Sequence, residues 1–266
     1  MTEWLNLFLR WFHVIAGIAW IGSSFYFMWL DSSLEPPKEK DGETEGYLWM
    51  CHSGGFYKVE KKFLKHVPPV LHWFKWEAAF TFLSGFLLLL LVYYHGGLLI
   101  DEADSVLTPG QAVGTGLGLM VLSWVIYDAL WISPLSKNVT VASAVSWLLL
   151  AGLIFLLCKL FAGRAAYMHV GAIMGTMMVA NVWMRIIPAQ KELIAATAAG
   201  KERNWDLGKR AKMRSIHNNY MTFPVVFIMI GNHFPQTYGD DHNALILIGL
   251  IAASVVVRYA MNKKRA

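Results

Sequence analysis

Leu7–Leu30 reads LFLRWFHVIAGIAWIGSSFYFMWL, and Arg10 and His13 are its only basic or acidic side chains. At roughly 1.5 Å per residue, a helix of this length exceeds the ~30 Å hydrocarbon core of a bilayer. Lipid offers the backbone no hydrogen-bond partners, so one segment crosses economically only as a helix. Arg10 stands close enough to the start to reach headgroups, whereas His13 lies nearly a turn deeper. A titratable ring at that depth is costly without a partner. No cationic stretch precedes the segment and it exceeds a signal-peptide core, so it is expected to remain in the protein.

Composition extends this reading to the whole chain of 266 residues: 56% are hydrophobic and 15% charged, against about a quarter charged in a soluble domain. Seven apolar segments can be marked, near 7–30, 77–95, 112–131, 140–161, 165–187, 218–233 and 243–261. Pro224 interrupts the sixth and predicts a kink or partial entry there. The sequence therefore predicts an all-α polytopic membrane helix bundle, residues 1–266 forming one integral-membrane domain in contact with the lipid bilayer. Lysine and arginine crowd the 31–76 and 188–217 loops and the Lys263–Arg265 tail, while 96–111 holds Asp101, Glu102 and Asp104 and no basic residue. By the positive-inside rule the N-terminus is outside and the C-terminus inside. The formal charge of +5 resides in these loops, and no basic recognition module points to nucleic acid.

Within the first inner loop, Glu35–Gly42 is a solvated linker by composition. Phe56, Val59 and Phe63 then recur at helical spacing opposite Lys58, Lys61, Lys62 and Lys65, which predicts an amphipathic interfacial helix. Of the two cysteines, Cys51 falls in that loop and Cys158 in a span, so no disulfide is expected. No Cys-x-x-Cys-His occurs, so the chain carries no covalent c-type haem.

The nine histidines sort into two levels. His13 and His169 lie within apolar spans toward the outer side, and His72 and His217 toward the inner. Imidazoles from two helices are what a b-type haem needs as axial ligands, so His13 with His169, and His72 with His217, are candidate pairs for one or two haem groups. Buried hydrogen-bonded histidines are the alternative. The inner helix ends are polar and aromatic, with Glu77, Asp128, Arg185, Gln190, His217, Asn218 and Asn219 among Trp and Tyr. Glu77 and Asp128 should face the bundle and pair with Lys75 or Arg185. Such a mouth suits a small planar anion; structural pairing within an interfacial aromatic belt is the other reading.

The stretches LRWFHVIAGIAWIGSSFYF, HSGGFYKVEKK, HWFKWEA, YDALWISPL, RAAYMHVGAIMGT, IIPAQ and HNNYMTFPVVFIMIGNHFP resemble the membrane domain of the bacterial cytochrome-c-linked urate oxidase (urate hydroxylase) family. The first helix also resembles the haem-binding helix of membrane protoporphyrinogen oxidases, which favours His13 as a haem iron ligand. Family members continue into a cytochrome c domain, whereas this sequence ends after its seventh span. The resemblance implies a multi-pass protein of the bacterial inner membrane, oxidising urate to 5-hydroxyisourate and passing electrons toward cytochrome c; either a separate c-type cytochrome accepts them or the chain is a short relative with a changed role. Under it we expect urate at Arg185, Gln190, Asn218 and Asn219, with His217 or Glu77 as base. A haem b electron-transfer subunit without its own substrate and a small-molecule or ion transporter are the competing expectations.

Overall fold

The computed structural model describes residues 2–39, 41–101 and 105–263. Lys40, Glu102, Asp104, Lys264 and Arg265, used above in the charge pattern, lie outside the described residues.

Helix α1 (Thr2–Ser33) is followed by a hairpin of β1 (Thr44–His52) and β2 (Gly55–Lys62). Next come α2 (Trp76–Leu89), which ends in a π-helical turn, Leu90–Tyr94, and α3 (Pro109–Ile132). A 3-10 turn, Pro134–Lys137, leads to α4 (Val139–Leu160). Helix α5 (Gly163–Ala180) runs through a second π-helical segment, Asn181–Ile186, into α6 (Ile187–Ala198). Helices α7 (Trp205–Gly231), α8 (Pro235–Tyr238) and α9 (Asn243–Lys263) complete the chain.

The starts and stops follow local chemistry. The Thr108 hydroxyl and the Gln111 side chain cap one another's backbone at the start of α3, with Pro109 at the first helical position. Asn138 accepts from Val141 N at 3.1 Å to open α4, and Asn204 accepts from Asp206 N at 3.2 Å to open α7.

Helix α5 is the central element, packing against α2, α3, α4 and α7. Its small residues allow this: a Cβ on Gly171 would stand 3.1 Å from Ile228 of α7. Helix α1 lies at the periphery, chiefly against α2, and leaves Trp4, Leu7, Phe8, Trp11, Ile15 and Ile18 exposed. That surface is costly in water and suited to lipid.

Six helical segments are long and apolar enough to cross a membrane. The seventh expected span is the second half of α7, which continues through Pro224 with no helix break. Its first half carries Lys209, Arg210, Lys212 and Arg214 as part of the helix, not in the 188–217 loop expected from the sequence. Among the described residues the spans long and apolar enough to cross are therefore six rather than the seven expected, and α7 brings charge into the bundle.

The expected amphipathic helix at Phe56–Phe63 is a strand. His52 pairs with Gly55 and Trp49 with Lys58 across a two-residue turn, whose Ser53 and Gly54 have φ of 52° and 74°. Positive φ at both positions is the hairpin turn that matches strand twist. The charged residues then form a ladder along one strand face, Lys58 and Lys62 reaching Glu60 at 2.6 and 2.9 Å. The hairpin is fastened to the bundle by Asp31 of α1, which pairs with Lys61 of β2 and, at 2.6 Å, with Lys212 of α7. Backbone bonds of 2.9 Å in both directions join Glu35 and Tyr47.

Candidate functional site

At the hairpin end, α3, α7 and the π-helical segment after α5 converge on one carboxylate. Asp128 Oδ1 accepts from Arg185 Nε at 2.9 Å and from an Arg214 terminal nitrogen at 2.8 Å. Its Oδ2 accepts from the other arm of Arg185. Arg214 also donates toward the Asn181 amide oxygen at 3.4 Å, which fixes the orientation of that amide. Asn181 Nδ2 then donates to Asn218 Oδ1 at 2.8 Å and to the Tyr127 phenol oxygen at 3.0 Å. With that oxygen already accepting, the Tyr127 hydroxyl donates to His217 Nδ1 at 2.7 Å. Asn218 Nδ2 closes the set on Met178 O at 2.9 Å. Each polar group here has a partner, as burial in a low dielectric demands.

The π-helical geometry matters to this arrangement. A π turn takes one more residue than an α turn, so it re-phases the side chains that follow. Asn181 and Arg185 both stand on such a segment, and both meet the α3–α7 seam.

Next to the cluster opens a cleft of about 160 Å3 between α3, α6 and α7, lined by Trp131, Met184, Arg185, Pro188, Arg210 and Arg214, with Glu192 beside them. The three guanidiniums outnumber the carboxylates of Asp128 and Glu192, so the cleft carries a net positive charge beside an indole. Arg214 is 3% exposed and held by Asp128, while Arg185 is 41% exposed. Arg185 is itself bidentate on Asp128, so what it can offer a ligand is the terminal nitrogen not held there.

The sequence-predicted residues divide accordingly. Arg185 lines the cleft. His217 stands behind it, its ring 4.2 Å from that of Trp131. Both amide atoms of Asn218 are committed to protein partners. Asn219 faces α9, where its oxygen accepts from Arg258 Nε at 2.8 Å, and Arg258 lies over the Phe25 ring at 4.0 Å. Gln190 is exposed on α6 and outside the cleft lining. Glu77 is half-buried at the start of α2; it pairs with neither Lys75 nor Arg185, whereas Asp128 does take Arg185. Tyr127, Asn181, Arg210 and Arg214 complete the site. Arg214 was legible as lying one turn before His217 and Asn218, had α7 been extended back to it.

The histidine pairs are placed apart. His13 Nδ1 lies 3.0 Å from both Thr81 O and Ser84 Oγ of α2. Its ring is seated on Gly85, where a Cβ would stand 2.8 Å from Cε1. With Nδ1–H donated to the Thr81 carbonyl, Nε2 is the lone-pair nitrogen, the tautomer of a metal ligand held by an outer partner. His169, fully buried, gives Nδ1–H to Ala165 O at 2.8 Å. Its Nε2 is occupied by the Tyr94 hydroxyl at 3.0 Å. On α2 these contacts lie nine residues apart, at Gly85 and Tyr94, or roughly 13 Å of helix. The residues fit a haem attached through His13. They do not fit one haem held jointly by His13 and His169. His72 lies in the exposed coil before α2, with no contact to His217.

A polytopic membrane helix bundle with an arginine-lined pocket at one end is the class that fold and site define. The chain belongs to the urate oxidase N-terminal family, whose pattern matches residues 1–266. No curated protein and no solved structure matches.

Proposed function

We propose that this chain is the membrane-embedded, urate-binding part of a urate oxidase. It would oxidise urate to 5-hydroxyisourate and release electrons toward a c-type cytochrome at a bacterial inner membrane. The observation that supports this most directly is the excess of guanidinium over carboxylate around the cleft, in a family named for urate oxidation. At neutral pH urate is a planar monoanion with an edge of carbonyl and N–H groups. Arg210 would take its oxygens in a forked hydrogen bond and Arg185 would add one from the terminal nitrogen not held by Asp128, with Trp131 against the ring face. Arg214, locked on Asp128, supplies fixed positive potential, and Met184 and Pro188 restrict water.

Conversion of urate and water to 5-hydroxyisourate releases two electrons and two protons. Urate bound here would lie next to Trp131 and Arg214, with His217 and Tyr127 behind them. In this reading His217 acts from that second layer as the proton acceptor, reached through Tyr127. Glu77, Gln190, Asn218 and Asn219 take no direct part in holding urate. Should a haem b be bound, His13 would hold its iron, and the group would supply one-electron acceptance.

Titration of urate into the purified chain in nanodiscs, followed by calorimetry, tests the assignment. Binding should weaken strongly in Arg185→Gln and vanish in Arg185→Glu. Unchanged affinity in Arg185→Glu would place the substrate elsewhere. A reduced-minus-oxidised spectrum without haem bands would remove the cofactor part and leave the cleft assignment standing.

A further inference from the structure

We propose that the β1–β2 hairpin is a membrane anchor, its tip seated in the headgroup layer of the same bilayer that α1 crosses.

The hairpin runs back toward the membrane. Helix α1 ends at Ser33, and β1 then pairs antiparallel to its exit through the backbone bonds between Glu35 and Tyr47. Three residues further along β1, the Met50 sulfur lies 3.5 Å from the Tyr26 hydroxyl. Tyr26 belongs to the apolar stretch that ends at Leu30 and stands seven residues before Ser33, about 10 Å of helix. The turn at Ser53–Gly54 follows three residues after Met50, a further ~10 Å of strand. The tip therefore points along α1 into the bilayer surface, and the base, where Asp31 holds Lys61, points away from it.

Side-chain chemistry follows the same axis. Gly46–Tyr57 contains no aspartate, glutamate, lysine or arginine, and His52 is the only basic side chain in it. Trp49 and Cys51 of β1 share a face with their cross-strand partners on β2, Lys58 and Phe56. That face is open: Phe56 is 80% exposed and Trp49 58%, a surface that water penalises and an interface accepts. The charges gather at the base. Lys58, the first of them on β2, leans back: its ammonium bonds Glu60 at 2.6 Å and lies 5.4 Å from the Tyr47 ring, both nearer the base than Lys58 itself. Long cationic side chains snorkel in this way at a membrane surface. From Asp41 to Lys65, Asp41, Glu43, Glu45 and Glu60 balance Lys58, Lys61, Lys62 and Lys65. The apolar tip, rather than attraction to anionic lipid, holds the seat.

The backbone bounds the depth. A two-stranded sheet leaves N–H and C=O groups along its outer edges, which hydrocarbon cannot satisfy and hydrated headgroups can. An anchored hairpin also ties down the charged half of α7. Asp31 joins Lys61 to Lys212, which lies between Arg210 and Arg214. Beyond β2, Phe63 meets Trp205 edge-on at 5.1 Å, and Leu64 O accepts from Arg203 at 2.7 Å.

The test uses the full chain carrying Cys158→Ser in phosphatidylcholine nanodiscs. A nitroxide is placed on Cys51 or, with Cys51→Ser, on Phe56→Cys or Lys62→Cys. Power-saturation electron paramagnetic resonance compares access to oxygen, which concentrates in lipid, with access to a water-soluble nickel chelate. The oxygen-to-nickel ratio should be several-fold higher at 51 and 56 than at 62, and added phosphatidylglycerol should leave it unchanged. Phe56→Asp changes an exposed side chain, so the fold is kept, and it should bring the ratio at Cys51 down toward that at 62. Equal ratios at 51, 56 and 62 place the tip in water and overturn the anchor. Low access to both reagents at the tip means that protein covers it, a second copy included, and overturns it as well. A high ratio that requires phosphatidylglycerol overturns the apolar seat. Neither urate nor haem is needed, so failure here is distinct from failure of the urate reading.

Discussion

Arg214 reaches Asp128 at 2.8 Å from a position 3% exposed, one buried guanidinium neutralised by a carboxylate that Arg185 also shares. Removing the carboxylate strands a buried cation. Asp128→Asn should therefore cost ~3–5 kcal/mol of stability. Arg185→Gln, which removes a partly exposed partner, should cost about 1 kcal/mol. Thermal unfolding of the detergent-solubilised variants ranks them; equal losses would contradict the assignment of Arg214 as the structural partner.

Gly46 lets β1 cross the end of α1. A Cβ there would stand 2.9 Å from both Glu35 O and Leu34 Cβ, and backbone oxygen cannot move aside cheaply. Gly46→Val should release the hairpin at a cost of ~1–3 kcal/mol. Hydrogen exchange should accelerate across Thr44–Lys62 while α5 stays protected.

Hairpin order should depend on pH at both extremes. The Asp41 carboxylate accepts from the Thr44 hydroxyl and from the Thr44 and Glu43 amides at 2.6, 2.7 and 2.9 Å, which holds its pKa below the usual carboxylate range. Folding thus favours the ionised form, and this contribution is present above about pH 4 and fades as pH falls further. Partial burial pulls Lys61 down, but its bonds to Asp31 and Glu45 outweigh that and raise its pKa. Its contribution holds below about pH 10 and is lost as pH climbs through the raised value. A spin label on the exposed Cys51, with Cys158→Ser, should gain mobility at both limits. Asp41→Asn should weaken the acid transition and leave the alkaline one unchanged.

The seat of His13 gives a further expectation. Gly85→Ala puts a methyl group 2.8 Å from the imidazole Cε1 and should push His13 off Thr81 and Ser84, loosening α1 from α2 by ~1–3 kcal/mol. Crosslinking between cysteines introduced at Gly17 and Thr81, where a Cβ on the glycine would meet the threonine methyl at 3.9 Å, should become inefficient.

The spans were legible because lipid imposes the same demand on each: length, apolarity and an internally bonded backbone. Asp128 with Arg185 was legible for a related reason, since a carboxylate at a helix end needs a cation. The hairpin was misread because Phe56, Val59 and Phe63 happen to fall at helical spacing. The informative signal was Ser53-Gly54 between runs rich in Trp, Tyr and Val. Neither Tyr94–His169 nor the seat of His13 could be read from spacing: each depends on which helices touch and where a missing side chain lets them do so. The extent of α7 was hidden by its charges, which suggested solvent where the structure has Arg214 on Asp128.

The π-helical turn at Leu90–Tyr94 has a consequence for inheritance. Losing one codon there would still leave a continuous apolar helix, able to insert and to span. It would rotate everything beyond by roughly 100° and swing the Tyr94 phenol away from His169. Such a deletion would pass for silent in an assay of membrane insertion while breaking the contacts of Tyr94 with His169 and of Tyr93 with Asn232.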